Sequence, residues 1–265
     1  MKTYDFINGE VILINKPLRW TSFDVVNKLK WAIKRRGNWQ EAILSGSGSS
    51  SGSSQSEDGS LKLEEQTNKQ QTTNNKLKVG HAGTLDPLAT GLLIICTGKK
   101  TKEIESYQAQ EKEYTGTFFL GATTPCFDLE KEPDTFFPTN HITDEMIYET
   151  TKQFTGKILQ APPAHSAVMI EGKRAYELAR AGNAPEMKQK EVNIYEFEIT
   201  AIEMPLVKFR VVCSKGTYIR SLANDFGLAL NSGAYLAELC RTRIGNFLLK
   251  DALGVEAFLE TLASA

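Results

Sequence analysis

HAGTLDPLAT, residues 81–90, runs through Gly91 into the apolar string LLIIC, residues 92–96. The residue before a proline is driven toward extended backbone, and glycine admits turns that other residues resist. Asp86, directly before Pro87 and between Gly83 and Gly91, is therefore expected on a tightly specified loop. The apolar string reads as a buried strand. Together they predict a carboxylate held still at the edge of a core. Taken alone, Asp-Pro is also an ordinary helix start, with Asp as the cap and Pro at the first helical position.

Outward from this loop, strand and helix patterns alternate. Residues 10–15 (EVILIN), 114–120, 192–202 and 207–213 read as strands. Helical spacing marks residues 22–34, 144–154, 172–181 and 218–230, with Thr143 as a cap and Gly182 as a stop. Phe23, Val26, Leu29 and Ile33 make the apolar side of the first helix, and Ile219, Leu222, Ala223 and Phe226 that of the last. Mixed order without repeats predicts an α+β domain, a central mixed sheet with helices against it.

One segment breaks the pattern. Residues 45–54 are all Ser or Gly, and the stretch to Asn75 is rich in Gln, Asn, Thr, Glu and Lys, with Leu61 and Leu63 as rare apolar anchors. So few anchors do not offset the entropy of ordering. Gly37 to Lys76 is therefore expected to be a flexible insertion in a domain spanning residues 1–253. Residues 254–265 are expected to form a short helical tail, with Val255, Phe258, Leu259 and Leu262 as its apolar side.

With 265 residues, 41% hydrophobic and 24% charged, the composition is that of a soluble globular protein. A net charge of -1 does not advertise a nucleic-acid binder, so any such surface must be a local basic patch. Cys96, Cys126, Cys213 and Cys240 form no CxxC pair, and three scattered histidines add no metal-ligand spacing. No secretory pattern opens the chain, and no apolar run is long enough to span a membrane. A cytoplasmic protein without membrane contact is expected. Phosphate-loop and dinucleotide fingerprints are absent.

Four strings share a further property. GHAGTLDPLATGLL (80–93), KEYTGTFFLGATT (112–124), KGTYIRSLANDFG (215–227) and GAYLAELCRTRIG (233–245), together with INKPLRWTS (14–22), resemble motifs of the TruB family of tRNA pseudouridine synthases. The resemblance implies the pseudouridine synthase fold, with a largely antiparallel central sheet flanked by helices. It also implies conversion of uridine to pseudouridine in the T loop of tRNA, at position 55, on a flipped-out base. Residues 162–182 resemble the segment that clamps the T arm. The tail being short, the chain is expected to grip tRNA with one catalytic domain, as a monomer, without guide RNA or obligatory protein partner.

That reaction breaks the N1–C1′ bond, turns the base over and rejoins it through C5. It is redox-neutral and needs no cofactor. The resemblance makes Asp86 the catalytic residue, with attack on the base, attack on C1′ and removal of a C2′ proton all open. Arg220 is implied as its partner; an adjacent guanidinium lowers a carboxylate pKa by roughly 1–3 units and would keep it ionised. Tyr114 is implied to stack on the uracil, where one base–aromatic contact returns roughly 1–3 kcal/mol. Against this stands the cost of extruding a base, a few kcal/mol. Tyr218 is implied as a hydrogen-bonding residue of the site, Leu239 as a wall of the base pocket and His81 as a side chain inserted beside the flipped base. Lys16 is implied as a buttress or an RNA contact.

Lys99, Lys100, Lys102, Lys173, Arg174, Arg180, Arg241 and Arg243 are candidate phosphate contacts; each taken singly reads first as a solvated surface charge. His165, Met169 and Asn15 depart from the family's usual residues. A non-catalytic tRNA-binding or folding protein is the alternative from another class, and loss of Asp86, Tyr114 or Arg220 would mark it; all three are present. A hydrolase would need two flanking acids. Asp128 is the nearest second acid and is expected to be structural or RNA-facing.

Overall fold

The computed structural model describes residues 4–45, 77–166, 168–170, 172–183 and 185–263. Ten strands form its main sheet: β1 (Val11–Lys16), β2 (Val79–His81), β3 (Ala89–Thr97), β4 (Lys112–Leu120), β5 (Gly156–Gln160), β6 (Lys190–Glu203), β7 (Leu206–Cys213), β8 (Ala234–Ile244), β9 (Phe247–Leu248) and β10 (Leu253–Gly254). Their order is β10-β1-β3-β8-β4-β7-β6-β5, with β2 on β3 and β9 on β8. Only β1–β10 and β3–β8 pair in parallel. This is the largely antiparallel α+β sheet expected. β3 lies mid-sheet, and all but one of its residues are buried, which is why it reads as an unbroken apolar string rather than an alternation.

Six helices complete the fold: α1 (Ser22–Ser45), α2 (Ile104–Ala109), α3 (Asp144–Gln153), α4 (Ala175–Arg180), α5 (Ile219–Ala229) and α6 (Val255–Ala263). α5 buries Ile219, Leu222, Ala223 and Phe226, the stripe its sequence predicts. Phe226 packs on a stacked Phe118–Phe209 pair whose centroids lie 4.1 Å apart. Thr143 caps α3 as expected, its hydroxyl accepting from the Met146 N–H. A second core lies between α1, α6, β1 and β3, where Ile12, Ile14, Leu29, Leu93, Ile95 and Phe258 meet. The four cysteines are free thiols, three of them buried. Among the described residues, no helix is long and apolar enough to cross a membrane.

Several expectations are corrected. α1 continues to Ser45, past Gly37, where the insertion was expected to begin; residues 46–76 lie outside the described residues. Its buried stripe is Val25, Val26, Leu29 and Ile33, and Phe23 falls outside it, 65% exposed. The helix expected over 172–181 is confined to Ala175–Arg180, because Lys173 and Arg174 pair with Met169 and Ile170 as a hairpin turning through Gly172, at φ +83°. The tail is part of the body: β10 pairs with β1, and the helix that follows places Phe258 in the second core with no exposure.

Truncating that anchor tests whether the last helix holds the body together. Phe258→Ala should lower unfolding free energy by about 3–5 kcal/mol, read as a reduced urea midpoint at unchanged slope. A loss below about 1 kcal/mol would show the helix to be dispensable.

Candidate active site

Register brings the motif residues together. In the parallel β3–β8 pair, Leu239 lies opposite Ala89 and Arg241 opposite Gly91. On the other side of β8, Arg241 lies opposite Tyr114 of β4. The loop carrying Asp86 therefore ends beside the strands that carry Leu239, Arg241 and Tyr114. Gly91 makes the approach feasible: at φ +102°, a Cβ there would sit 2.4 Å from the Arg241 carbonyl oxygen.

The Asp86 loop is clamped by the N-terminal motif. The Ser22 hydroxyl accepts from the Leu85 N–H at 2.8 Å and donates to the Leu85 carbonyl at 3.1 Å. The Arg19 N–H donates to the Pro87 carbonyl at 2.7 Å from a left-handed backbone, φ +66°. Lys16 is fully buried, and its ammonium donates to the carbonyls of Pro17, Trp20 and Pro87. It is thus a buttress, with no surface left for RNA. Burial pushes that ammonium down to about 8, with Asp86 opposing. From the other side Arg241, also buried, donates to Leu92, Thr84 and Gly83 carbonyls at 2.8, 3.3 and 3.1 Å.

The opposite wall is built by α5. Gln160, on β5, accepts from the Tyr218 N–H at 2.8 Å and donates to the Tyr218 carbonyl at 3.1 Å, fixing the residue before the helix. Arg220 then projects from the first turn, buried. Its Nε lies 2.9 Å from Asp86 Oδ2 and 3.5 Å from Asp128 Oδ2. Its two terminal nitrogens donate to the carbonyls of Cys126 and His165 at 3.3 and 3.1 Å. No described residue hydrogen-bonds Asp86 Oδ1. Asp128 is held in turn: its carbonyl accepts from Thr124, and its carboxylate from the Glu130 N–H.

Asp86, Tyr114, Tyr218, Arg220 and Leu239 all line one open cleft of about 840 Å³, within the usual range for a small-molecule site. Its rim includes Glu130 and Arg180, ion-paired at 2.9 Å. His81 is not among the lining residues. It lies on β2, half-buried, with Nδ1 unpartnered, and burial lowers its pKa. Tyr114 is itself mostly core, only 9% exposed, so it offers the cleft a narrow surface. Burial raises the hydroxyl pKa of Tyr114 and of Tyr218, keeping both phenols neutral.

Arg220 lowers the Asp86 carboxyl as expected, but burial outweighs it. The Asp86 side chain is 41% exposed, yet protein surrounds it closely at the base of the cleft. That burial raises its carboxyl above the ordinary range; Arg220 opposes, while Asp128 and Glu130 reinforce the rise. The like charge of Asp128 is the feature that sequence spacing misses, since it meets Asp86 only through a guanidinium from α5. Side-chain exposure of 7% keeps Asp128 from flanking a substrate bond as a second acid.

The candidate basic residues differ in their surroundings. Arg241 braces the loop, and Arg243 pairs with Glu111. Lys100 pairs with Glu103, Lys99 donates to Asn8, and Arg180 pairs with Glu130. Lys102, Lys173 and Arg174 lie outside the lining of the cleft. Among the described residues, no group of His, Cys, Asp and Glu could hold a metal ion.

Comparison with known proteins places the chain in a family. The sequence model described as "TruB family pseudouridylate synthase (N terminal domain)" matches residues 69–219. The chain is 48% identical to tRNA pseudouridine synthase B of Flavobacterium johnsoniae, over 99% of this chain and 100% of that one. It is 49% identical to the protein of the same name from Phocaeicola vulgatus, over 97% of this chain and 95% of that one. Among solved structures, a chain in a crystal structure of a Cbf5-Nop10-Gar1 complex superposes with a TM-score of 0.62 at 26% identity. The match covers 96% of this chain and 54% of that one, so the chain spans about half the length of its structural neighbour. The chain belongs to the TruB family of pseudouridylate synthases, which are isomerases.

The clamp on the loop is open to test. Ser22→Ala leaves the buried Leu85 N–H and carbonyl without their shared partner, a penalty of about 1–3 kcal/mol. The expected result is a stability loss of that size in urea denaturation, with wild-type secondary structure by circular dichroism. An unchanged midpoint would show that the Ser22 clamp contributes nothing.

Proposed function

We propose that this chain isomerises a uridine of tRNA to pseudouridine, at T-loop position 55, with Asp86 as the catalytic carboxylate. One observation carries the assignment: Asp86 and Arg220, distant in sequence, meet at 2.9 Å in a cleft wide enough for an everted nucleoside. The single sheet that pairs β10 with β1 supports one catalytic domain, interrupted after α1. With tRNA as substrate, the protein works in the cytoplasm.

In the reaction the N1–C1′ bond breaks, the base turns over and a C5–C1′ bond forms. The C5 proton leaves and N1 gains one, so no electrons are exchanged. Arg220 engages Asp86 through Oδ2, and Oδ1 is the oxygen available to act on base or sugar. A desolvated carboxylate is more reactive than a hydrated one, and preorganised neighbours fix where it acts. Tyr114 and Tyr218 remain protonated, so each serves as a packing face and neutral hydroxyl. Leu239, beside Ala89, walls the pocket.

Purified protein incubated with unmodified tRNA transcript, without metal or nucleotide, should yield pseudouridine at the T-loop uridine when mapped at nucleotide resolution. Asp86→Asn should abolish turnover while holding tRNA affinity within a few-fold, because phosphate contacts dominate binding. Normal isomerisation by Asp86→Asn ends the assignment of roles.

The pH dependence follows from the carboxyl's environment. The ionised form is the active one, so the rate falls as pH drops through the raised pKa of Asp86. The acid limb of kcat/KM should therefore lie above the ordinary carboxylate range. Asp128→Asn removes a like charge that raises this pKa, and the limb should move to lower pH. A limb that stays in place, or moves upward, would contradict the shared-guanidinium account.

A further inference from the structure

Besides Tyr114, the lining of the cleft includes Lys112, Ser214, Lys215, Gly216 and Thr217. Lys112 faces the same side of β4 as Tyr114, about 7 Å away by strand geometry. It lies opposite Cys213 of β7, which leads directly into Ser214 and Lys215. Lys112 is buried, and its ammonium donates to the carbonyls of Gln108 and Gln110. A lysine has three donors, and one remains for the cleft. Among the described residues, no carboxylate pairs with Lys112 or Lys215. The acids flanking Lys112 are engaged elsewhere, Glu111 by Arg243 and Glu113 by Arg210.

The charge balance has one sign. Burial, then Arg241 and Lys215, push the Lys112 ammonium down to about 8, with Cys213 alone opposing. Arg241 spends its nitrogens on carbonyls and contributes only its field. A half-dry corner holding three cations and no acid is a place for an anion. Lysine meets a phosphate oxygen as a point charge.

We propose that Lys112 and Lys215 form a subsite for one phosphodiester oxyanion of the bound RNA, beside the everted nucleoside. The subsite rests on the function proposed above, because the same cleft must hold RNA. The donor of Lys112 left over from its two carbonyls meets the oxyanion, and exposed Lys215 closes over the phosphate from the strand-to-helix turn. The backbone is thereby fixed one strand step from Tyr114, with the base left for Asp86.

The test pairs protein variants with single neutral methylphosphonate linkages placed in turn around the target uridine of a T-arm RNA. Lys112→Met should weaken RNA binding about tenfold, and the slope of log K against log salt should fall by about 0.7–0.9, the loss of one phosphate contact. Lys112→Arg, which keeps the charge, should restore most of the affinity. At one linkage, methylphosphonate should weaken wild-type binding about tenfold and leave Lys112→Met binding unchanged. Equal losses in both proteins at every linkage would overturn the subsite. If Lys112→Met does not fold, Lys215→Ala, a surface change, carries the same cycle. Absence of pseudouridine anywhere in tRNA would instead refute the function proposed above; pseudouridine without a coupled linkage refutes the subsite alone.

Discussion

One buried guanidinium holds the candidate site together. Arg220 Nε sits between the carboxylates of Asp86 and Asp128, and its terminal nitrogens are taken by the Cys126 and His165 carbonyls. Three separate pieces of chain, around Asp86, Cys126–Asp128 and His165, are tied to one planar group. A guanidinium suits this because it stays charged and presents its donors in a fixed fork. Its cost is desolvation, which becomes tolerable only when the donors are satisfied. Gln160 clamps the Tyr218 peptide, so the helix delivering Arg220 begins at a defined point. The partners of Arg220 thereby set both the charge of the cleft and the distance between its walls.

The loop opposite is held by cations with no acidic partner of their own. Lys16 and Arg241 are both buried, and both direct their donors at backbone carbonyls around Asp86. Lys112, also in the cleft lining, does the same with the carbonyls of Gln108 and Gln110. Backbone carbonyls replace water around each charge without cancelling it. A protein of net charge -1 therefore still surrounds its cleft with positive potential, since field lines concentrate in a low-dielectric recess. Overall charge is a poor guide here, because acids such as Glu111, Glu113 and Glu203 are paired with arginines and lysines elsewhere.

Much of this was legible in the chain. β3 showed as an uninterrupted apolar run because it is buried on both faces, and α5 displayed its stripe because only one face meets the sheet. Asp86, Tyr114, Tyr218, Arg220 and Leu239 were all read from motifs, and all reach one cleft. Asp128 was not, because its place depends on a bulged loop, with Phe127 at φ +63°, hooked onto Leu236 by a single bridge. The bracing role of Arg241 escaped for a related reason, while for Lys16 the motif left buttress and RNA contact both open. A basic residue in sequence looks like a surface charge, and only three-dimensional burial turns it into a brace. His81 carries a family motif yet sits on β2, away from the cleft's lining.

The charge state of Asp86 shows why the site needs both of its acidic neighbours and its cation. Burial alone pushes the carboxyl toward its protonated form, which is not the anion the chemistry needs. With Arg220 alone, the carboxylate would be ionised but bound so firmly that little reactivity was left. Asp128 takes part of the same Nε and adds a like charge, which loosens the grip of the guanidinium on Asp86. On the proposed function, the outcome is an acid ionised at working pH, anchored through one oxygen and free at the other. That balance depends on the Asp86 loop holding its place beside Arg220. Ser22, Lys16 and Arg241 grip the peptides on either side of Asp86 for that reason.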